Sequence, residues 1–430
     1  MIRLIYNKIH IYLSTAIAFC LPINSNLVPP LIVLAVLFWL SKPKEIMNGI
    51  KNLMQNKALA AMVSLFLLYA IGVLYSHNMQ EGMEILETKL SFFILPLIFS
   101  TQIKSCKENL NLYLRFFIYG CMLSSFICFG WALYCFLKPV YVMIDGMGYD
   151  LGASYFYYVR LSVFLHPSYI SMYFNFALLA LYYLVNIGEI KMNWKWIFAA
   201  LLISVFVLLL SSKAGWIGLF LVALFIVINL IMRKLIIAVI AILVVLCSLF
   251  YVLIISAPEF SQRIKAATES VSKSGSTEDL KKSSDGTASR ILVWQAAIEI
   301  IKENFLIGAG TGDAKTAMTE KYKEKGMMTE YEHNLNSHDQ YLNTFVALGI
   351  FGFSCLMLSL LIPLFYAIKY KQALLGTFVC LIGLNFLFES MLETQAGVMF
   401  YAFFQVMLCF TFFNSSGFQQ AVTNNLDKNA

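Results

Sequence analysis

The sequence predicts an all-α polytopic membrane protein with about twelve transmembrane helices and one large polar loop. Three observations predict it. Of 430 residues, 60% are hydrophobic and only 13% charged, which lies outside the range of soluble domains. The mean hydropathy is +0.74 with every loop averaged in, so the apolar residues must be gathered into long runs. Those runs are separated by short polar breaks and can be counted, because a ~30 Å bilayer core needs about 20 apolar residues at a rise of ~1.5 Å.

Taken in order, spans are expected at 4–22, 27–41, 58–76, 82–100, 110–137, 166–186, 195–211, 214–232, 235–256, 340–363, 373–390 and 396–414. The chain then divides into membrane helices over 1–256, a polar loop over 257–339, further membrane helices over 340–414 and a tail over 415–430. Arg3 and Lys8 precede an apolar stretch as in a signal peptide, but no small-residue cleavage site follows Phe19, Cys20, Leu21 and Pro22. The stretch therefore reads as the first span. From Ile197 to Met232 the chain is apolar for 36 residues, about 54 Å as one helix. It must turn back at Ser211-Ser212-Lys213, which puts Lys213 at the tip of a helical hairpin.

The formal charge of +7 is a matter of topology rather than of nucleic-acid binding. Lys42, Lys44, Lys51 and Lys57, then Lys104 and Lys107, Lys191 and Lys195, Arg233 and Lys234, and Lys369 and Lys371 fall in alternate short loops. The positive-inside rule makes those loops and both termini cytoplasmic, and 138–165 and 257–339 outward. The nine cysteines lie mostly inside apolar runs and read as small hydrophobes, not as a disulfide framework. Within the large loop, 261–289 is rich in Ser, Lys, Thr and Gly and reads as a mobile segment. Ile291, Trp294, Ile298, Ile301 and Phe305 then recur at helical spacing, so a short amphipathic helix is expected along the membrane surface. The loop carries 13 acidic and 11 basic residues, so any anion site in it must be local.

Candidate chemistry begins with cations. Lys213 runs against the charge bias of an outward tip; it suits an anion, or it snorkels as a topology anchor. Arg290 near the start of the surface helix, with Thr287 and Ser289 as caps, would grip phosphate oxygens by forked hydrogen bonds, or it is a plain loop arginine. His338, immediately before the tenth span, can exchange a proton near neutral pH; His333 competes from a more polar stretch. Arg160 and His166 flank the sixth span and could extend an anion or sugar site, unless His166 merely caps a helix begun by Pro167. Glu389, Glu393 and Gln395, in the turn between the last two spans, could balance the cations or bind sugar hydroxyls. Lys89 and Arg115 are nominally intramembrane and should pair with a carboxylate such as Glu87. Gly308-Ala309-Gly310-Thr311-Gly312-Asp313-Ala314-Lys315-Thr316 suggests a phosphate loop, but Ala314 replaces the required glycine, and the stretch reads as a turn. No motif calls for a metal.

Ser212-Lys213-Ala214-Gly215 at a hairpin tip, a long loop with Ser289-Arg290 through Trp294, and His338-x-x-Tyr341-Leu342 before Leu348-Gly349-Ile350-Phe351-Gly352 together resemble the O-antigen ligase and polymerase superfamily. The resemblance covers roughly residues 155–410. It implies a bacterial inner-membrane enzyme with a periplasmic active site, moving a glycan from undecaprenyl diphosphate to a sugar hydroxyl of lipid A–core, without cofactor, nucleotide or metal. By position, His338 matches a histidine proposed as general base, and Arg290 a loop arginine proposed to hold the diphosphate. Lys213 stands where arginine is usual, keeping charge but losing the fork. Tyr341, with Arg160, His166, Glu389, Glu393 and Gln395, is a further possible substrate contact. The ligase is favoured over an O-antigen polymerase, which uses the same donor to extend a lipid-linked chain. A transporter of twelve spans is the alternative from another class, although the halves show no obvious repeat.

Overall fold

The computed structural model describes residues 2–41, 43–138, 141–144, 147–150, 152–256 and 286–413. The expected mobile segment 261–289 falls mostly, and the expected tail 415–430 wholly, outside the described residues. The helices, in chain order, are α1 (Ile2–Cys20), α2 (Val28–Leu40), α3 (Pro43–Gln55), α4 (Lys57–Leu74), α5 (Met79–Lys89), α6 (Ser91–Ser100), α7 (Ile103–Leu137), α8 (Tyr158–Leu161), α9 (Pro167–Asn186), α10 (Trp194–Leu209), α11 (Lys213–Met232) and α12 (Ile236–Ser256). After them come α13 (Gly286–Glu303), α14 (Ala314–Glu324), α15 (Met328–Glu332), α16 (Gln340–Lys369), α17 (Ala373–Phe386) and α18 (Gln395–Phe412).

Each of the twelve expected runs is helical, but they do not all reach across a bilayer. Among the described residues six helices are long and apolar enough: α4, α7, α9, α11, α16 and α18. Helices α10 and α17, of 16 and 14 residues, are shorter apolar helices, and a helix of that length spans only about 21–24 Å. The run at 82–100 is two helices meeting at Leu90, one amphiphilic and one apolar. The fold is all-α as expected, apart from a small antiparallel hairpin, β1 (Tyr141–Ile144) with β2 (Met147–Asp150), registered Tyr141 to Asp150 and Ile144 to Met147. One further departure is a correction: the expected lysine loop after α2 is instead the amphipathic helix α3.

The chain forms two compact units. One comprises residues 1–7, 32–110 and 266–430; the other comprises 8–31 and 111–265. In the second unit, α9 packs on α10 and α11. There is no room for a side chain where α9 meets α11: a Cβ on Gly215 would lie 2.6 Å from the Ser171 Cβ. Asn175 closes the same contact by donating its Nδ2 to the Gly215 carbonyl at 2.9 Å.

In the first unit, α16 lies along α4 and against α17, while α18 packs on α6. α16 is broken at Gly349, whose φ of 61° and ψ of −157° belong to a region essentially restricted to glycine. The break frees backbone groups, and the turn after α13 takes them. Ile350 N–H donates to the Phe305 carbonyl at 2.9 Å, Ala309 N–H to Val346 at 2.8 Å and Gly310 N–H to Ala347 at 3.0 Å. A Cβ on Gly349 would sit 2.3 Å from the Leu306 carbonyl oxygen. Gly349→Ala should therefore cost about 1–3 kcal/mol in backbone strain, read as a lowered Tm in detergent with less protein in the membrane. An unchanged Tm would mean that the break is not needed.

Helix α13 is the amphipathic helix expected, but its buried stripe differs. Ala288, Leu292, Val293, Ala296, Ala297, Ile300 and Ile301 pack against Met318, Tyr322, Met327 and Val346, whereas Ile298 and Phe305 are exposed. The helix thus closes a small core of its own with α14 and the start of α16.

Candidate functional site

The segment before α16 is pinned from several sides, and that pinning sets the pose of His338. Trp294, on α13, donates its indole N–H to the Ser337 carbonyl at 2.9 Å. Tyr322, on α14, donates its hydroxyl to the Leu335 carbonyl at 3.0 Å. Asn336 accepts the His338 backbone N–H on its side-chain oxygen at 2.9 Å. His338 itself has a φ of 46°, a left-handed conformation costly to a residue with a Cβ and held only where its surroundings over-determine it. Asp339 then caps α16 by accepting the Leu342 N–H at 2.9 Å.

The imidazole so presented meets a carboxylate. His338 Nδ1 lies 2.9 Å from Glu389 Oε1, and the Glu389 side chain is only 8% exposed. Ionised, Glu389 can only accept, so the ring donates from Nδ1 and Nε2 keeps its lone pair. The sequence offers Glu389 as a balance for cations or a sugar contact; the structure makes it the histidine's partner, delivered by the turn after α17. His333, the competitor, ends α15 on the surface.

Arg290 lies in the second turn of α13, and among the described residues it makes no hydrogen bond or salt bridge. Its charge reaches Asp339, the residue after His338. Burial pushes the Asp339 carboxyl up to about 6, against the opposing pull of the Leu342 and Tyr341 N–H groups and of Arg290. The expected caps Thr287 and Ser289 lie inside the helix, which starts at Gly286. Ser289 instead donates to Glu330 Oε1 at 2.7 Å, because its hydroxyl faces α15.

Asp339 carries a pH prediction. With a folded value near 6 against an ordinary 3.8, the folded state holds the proton more tightly than the unfolded chain. The protonated form adds stability below about pH 4, and that stability is lost as pH rises through about 6. Asp339→Asn, still a good helix cap, should flatten the fall in Tm between pH 4 and 6. An unaltered slope would assign it to other groups.

Behind the His338 segment lies a buried polar network. Lys89, fully buried, donates to the Leu392 carbonyl at 2.7 Å and to Glu393 Oε1 at 2.9 Å, with its ammonium 4.5 Å from the Tyr69 ring centroid. Gln340 accepts the Leu392 N–H at 2.6 Å and donates to Thr344 at 3.1 Å. The expected pairing of Lys89 with Glu87 is therefore corrected: the partner comes from 304 residues away. Arg115 pairs with Glu189 at 2.8 Å. Tyr341 spends its hydroxyl on the Gly383 carbonyl at 2.9 Å, and Gln395 opens α18.

The glycine-rich stretch after α13 works in the opposite sense to a phosphate loop. Asp313 accepts the backbone N–H groups of His77 at 2.7 Å and Asn78 at 2.9 Å, with His77 Nδ1 at 3.1 Å. Burial raises its carboxyl, but these hydrogen bonds outweigh burial and hold it below its usual range. It offers an anion to protein N–H groups instead of N–H groups to an anion.

Lys213, Arg160 and His166 belong to the second unit. Lys213 opens α11 at the hairpin turn, where Ser211 has a φ of 50° and Ser212 caps by accepting the Gly215 N–H at 3.3 Å. Since Ser171 and Gly215 touch in the second turn of α9 and the first of α11, the two helix starts lie on one side of this unit. His166 caps α9 through Nδ1, accepting the Ser168 N–H at 3.4 Å, and Arg160 donates to Ser154 at 2.9 Å.

Residues 198–357 match the family described as O-antigen ligase. The matched stretch runs from α10 into α16. That stretch contains Lys213, Arg290, His338 and Tyr341, whereas Glu389, which holds the histidine, and Glu393 come from beyond it. A protein of Haemophilus influenzae, named only as uncharacterized, is 32% identical over 232 residues, covering 50% of this chain and 55% of its own length. The chain thus spans about half the length of that relative. The six long apolar helices, together with a stretch similar to the O-antigen ligase family, indicate a multi-pass membrane protein.

Proposed function

We propose that the protein is an O-antigen ligase of the bacterial inner membrane. It transfers a glycan from undecaprenyl diphosphate to a sugar hydroxyl of lipid A–core on the periplasmic side. The observation that carries this reading is the His338–Glu389 pair, next to a carboxylate within the field of Arg290, in a chain whose residues 198–357 resemble the O-antigen ligase family. A lipid diphosphate is already an activated leaving group, so the protein needs a base for the acceptor proton and cations for the charge that develops.

In this reading the acceptor oxygen attacks the anomeric carbon from the face opposite the diphosphate, and its proton passes to His338 Nε2. The anomeric carbon–oxygen bond breaks with its electron pair going to the diphosphate, and configuration inverts. Arg290 receives the new negative charge with a forked set of N–H donors. Glu389 keeps the imidazole in the tautomer that can accept and offsets the imidazolium that forms.

The test is to mix purified protein with undecaprenyl-diphosphate glycan and lipid A–core, in excess chelator and without ATP. Lipid A–core should gain the mass of the glycan. Lengthening of the lipid-linked chain instead would make the protein a polymerase, and a need for added divalent ion would defeat the cation-only mechanism. Saturable uptake into proteoliposomes without transfer would make it a transporter.

A further inference from the structure

The diphosphate end of the donor and the sugar rings ask for different surroundings, and the first unit contains a second, differently built place. A cavity of about 260 Å³ adjoins the His338 segment, its walls including Tyr69, Glu81, Lys315, Asn336, Asn343 and Glu393. A smaller one of about 180 Å³ shares Glu81, Ile85 and Glu393 with it.

Its charges cancel in pairs. Lys315 Nζ lies 3.4 Å from Glu81 Oε1, and Lys89 Nζ 2.9 Å from Glu393 Oε1. A diphosphate entering here would face two carboxylates without surplus positive charge, so an anion is disfavoured and a neutral ligand is not. The hydrogen-bonding groups are of both kinds. The Asn343 and Asn334 carboxamides make no side-chain hydrogen bond among the described residues, and each offers two donors and an acceptor. Glu393 has one oxygen anchored by the buried Lys89 and a second left to accept. Such mixed donors and acceptors beside an aromatic wall suit vicinal hydroxyls. Asn336 lines the cavity and also holds the His338 backbone N–H at 2.9 Å, so the cavity ends beside the base.

We infer that this cavity is a subsite for a neutral, hydroxyl-rich sugar ring, which arrives either on the acceptor or as the first sugar of the donor. Asn343, Asn334 and Glu393 hydrogen-bond its hydroxyls, and Lys89 is a positioning residue for Glu393. The inference rests on the glycosyl-transfer reading above.

Two mild variants test it in the purified full chain. Asn343→Ala removes a carboxamide that makes no hydrogen bond among the described residues. Asn334→Gly does the same while tolerating the φ of 48° at that position. Losing one hydrogen bond should raise the KM of one substrate about three- to tenfold, with kcat and Tm little changed. A rise for lipid A–core places the acceptor ring here, and a rise for the lipid-linked glycan places the donor ring here. Unchanged KM values for both substrates in both variants, or a loss confined to kcat, would overturn the subsite while leaving the transfer reading intact. If the wild type makes no product, the transfer reading fails and binding decides alone. Deacylated lipid A–core and the oligosaccharide released from the donor are then the probes. Binding of either that weakens threefold or more in Asn343→Ala supports the subsite; binding of neither overturns it.

Discussion

His338→Ala should lower glycan transfer by about 10²–10⁴-fold, the usual contribution of a positioned general base, while the amount of protein in the membrane stays the same. The second condition matters because His338 also occupies a left-handed backbone position at φ 46°. Alanine there keeps the backbone strain and loses only the ring, so His338→Ala isolates the chemistry better than a bulkier replacement would. Glu389→Gln is the companion. Its amide can rotate to donate to Nδ1, which would leave the proton on Nε2 and the ring in a tautomer unable to accept from the acceptor hydroxyl. A loss of about 10²-fold or more in kcat, with both KM values near wild type, is the expected signature. Full transfer by His338→Ala in membranes with normal protein level would remove the base from the mechanism.

How far the sequence alone could reach is visible in the same residues. The helices were legible because apolar runs broken by polar residues have one economical solution in a bilayer, and Ser211-Ser212-Lys213 marked the hairpin because no other break was available. The position of His338 just before a helix start was legible. Its partner was not, since Glu389 lies 51 residues away and a turn between two apolar helices carries no pattern that points to a histidine. The buried face of α13 was hidden for a different reason. The large side chains Ile298 and Phe305 are exposed, whereas the buried stripe includes Ala288, Ala296 and Ala297 beside Leu292, Val293 and Ile300, and alanines carry little periodic signal. The break at Gly349 was hidden too, because a glycine inside an apolar run looks the same whether the helix continues or stops.

Lys89→Met should be the most destabilising single change in the first unit outside the backbone breaks, by about 3 kcal/mol. The expected range for removing one partner of a buried ion pair is about 3–5 kcal/mol, and the lower end applies because the Glu393 side chain remains 22% exposed. Methionine fills most of the lysine's volume, so the cost reports the orphaned Glu393 carboxylate and the Leu392 carbonyl, not a cavity. The double variant Lys89→Met with Glu393→Gln separates the two contributions. The substituted glutamine carries no charge to strand, and its amide can still pair with Gln340, so more than half of the lost stability should return. Thermal unfolding in one detergent for wild type, both single variants and the double variant gives the coupling. Additive losses would mean that Lys89 and Glu393 are stabilised independently. That result would also weaken the reading of Lys89 as the residue that aims Glu393 into the cavity, because a carboxylate held by something else would not need an ammonium brought, at the cost of desolvation, into an apolar helix packing.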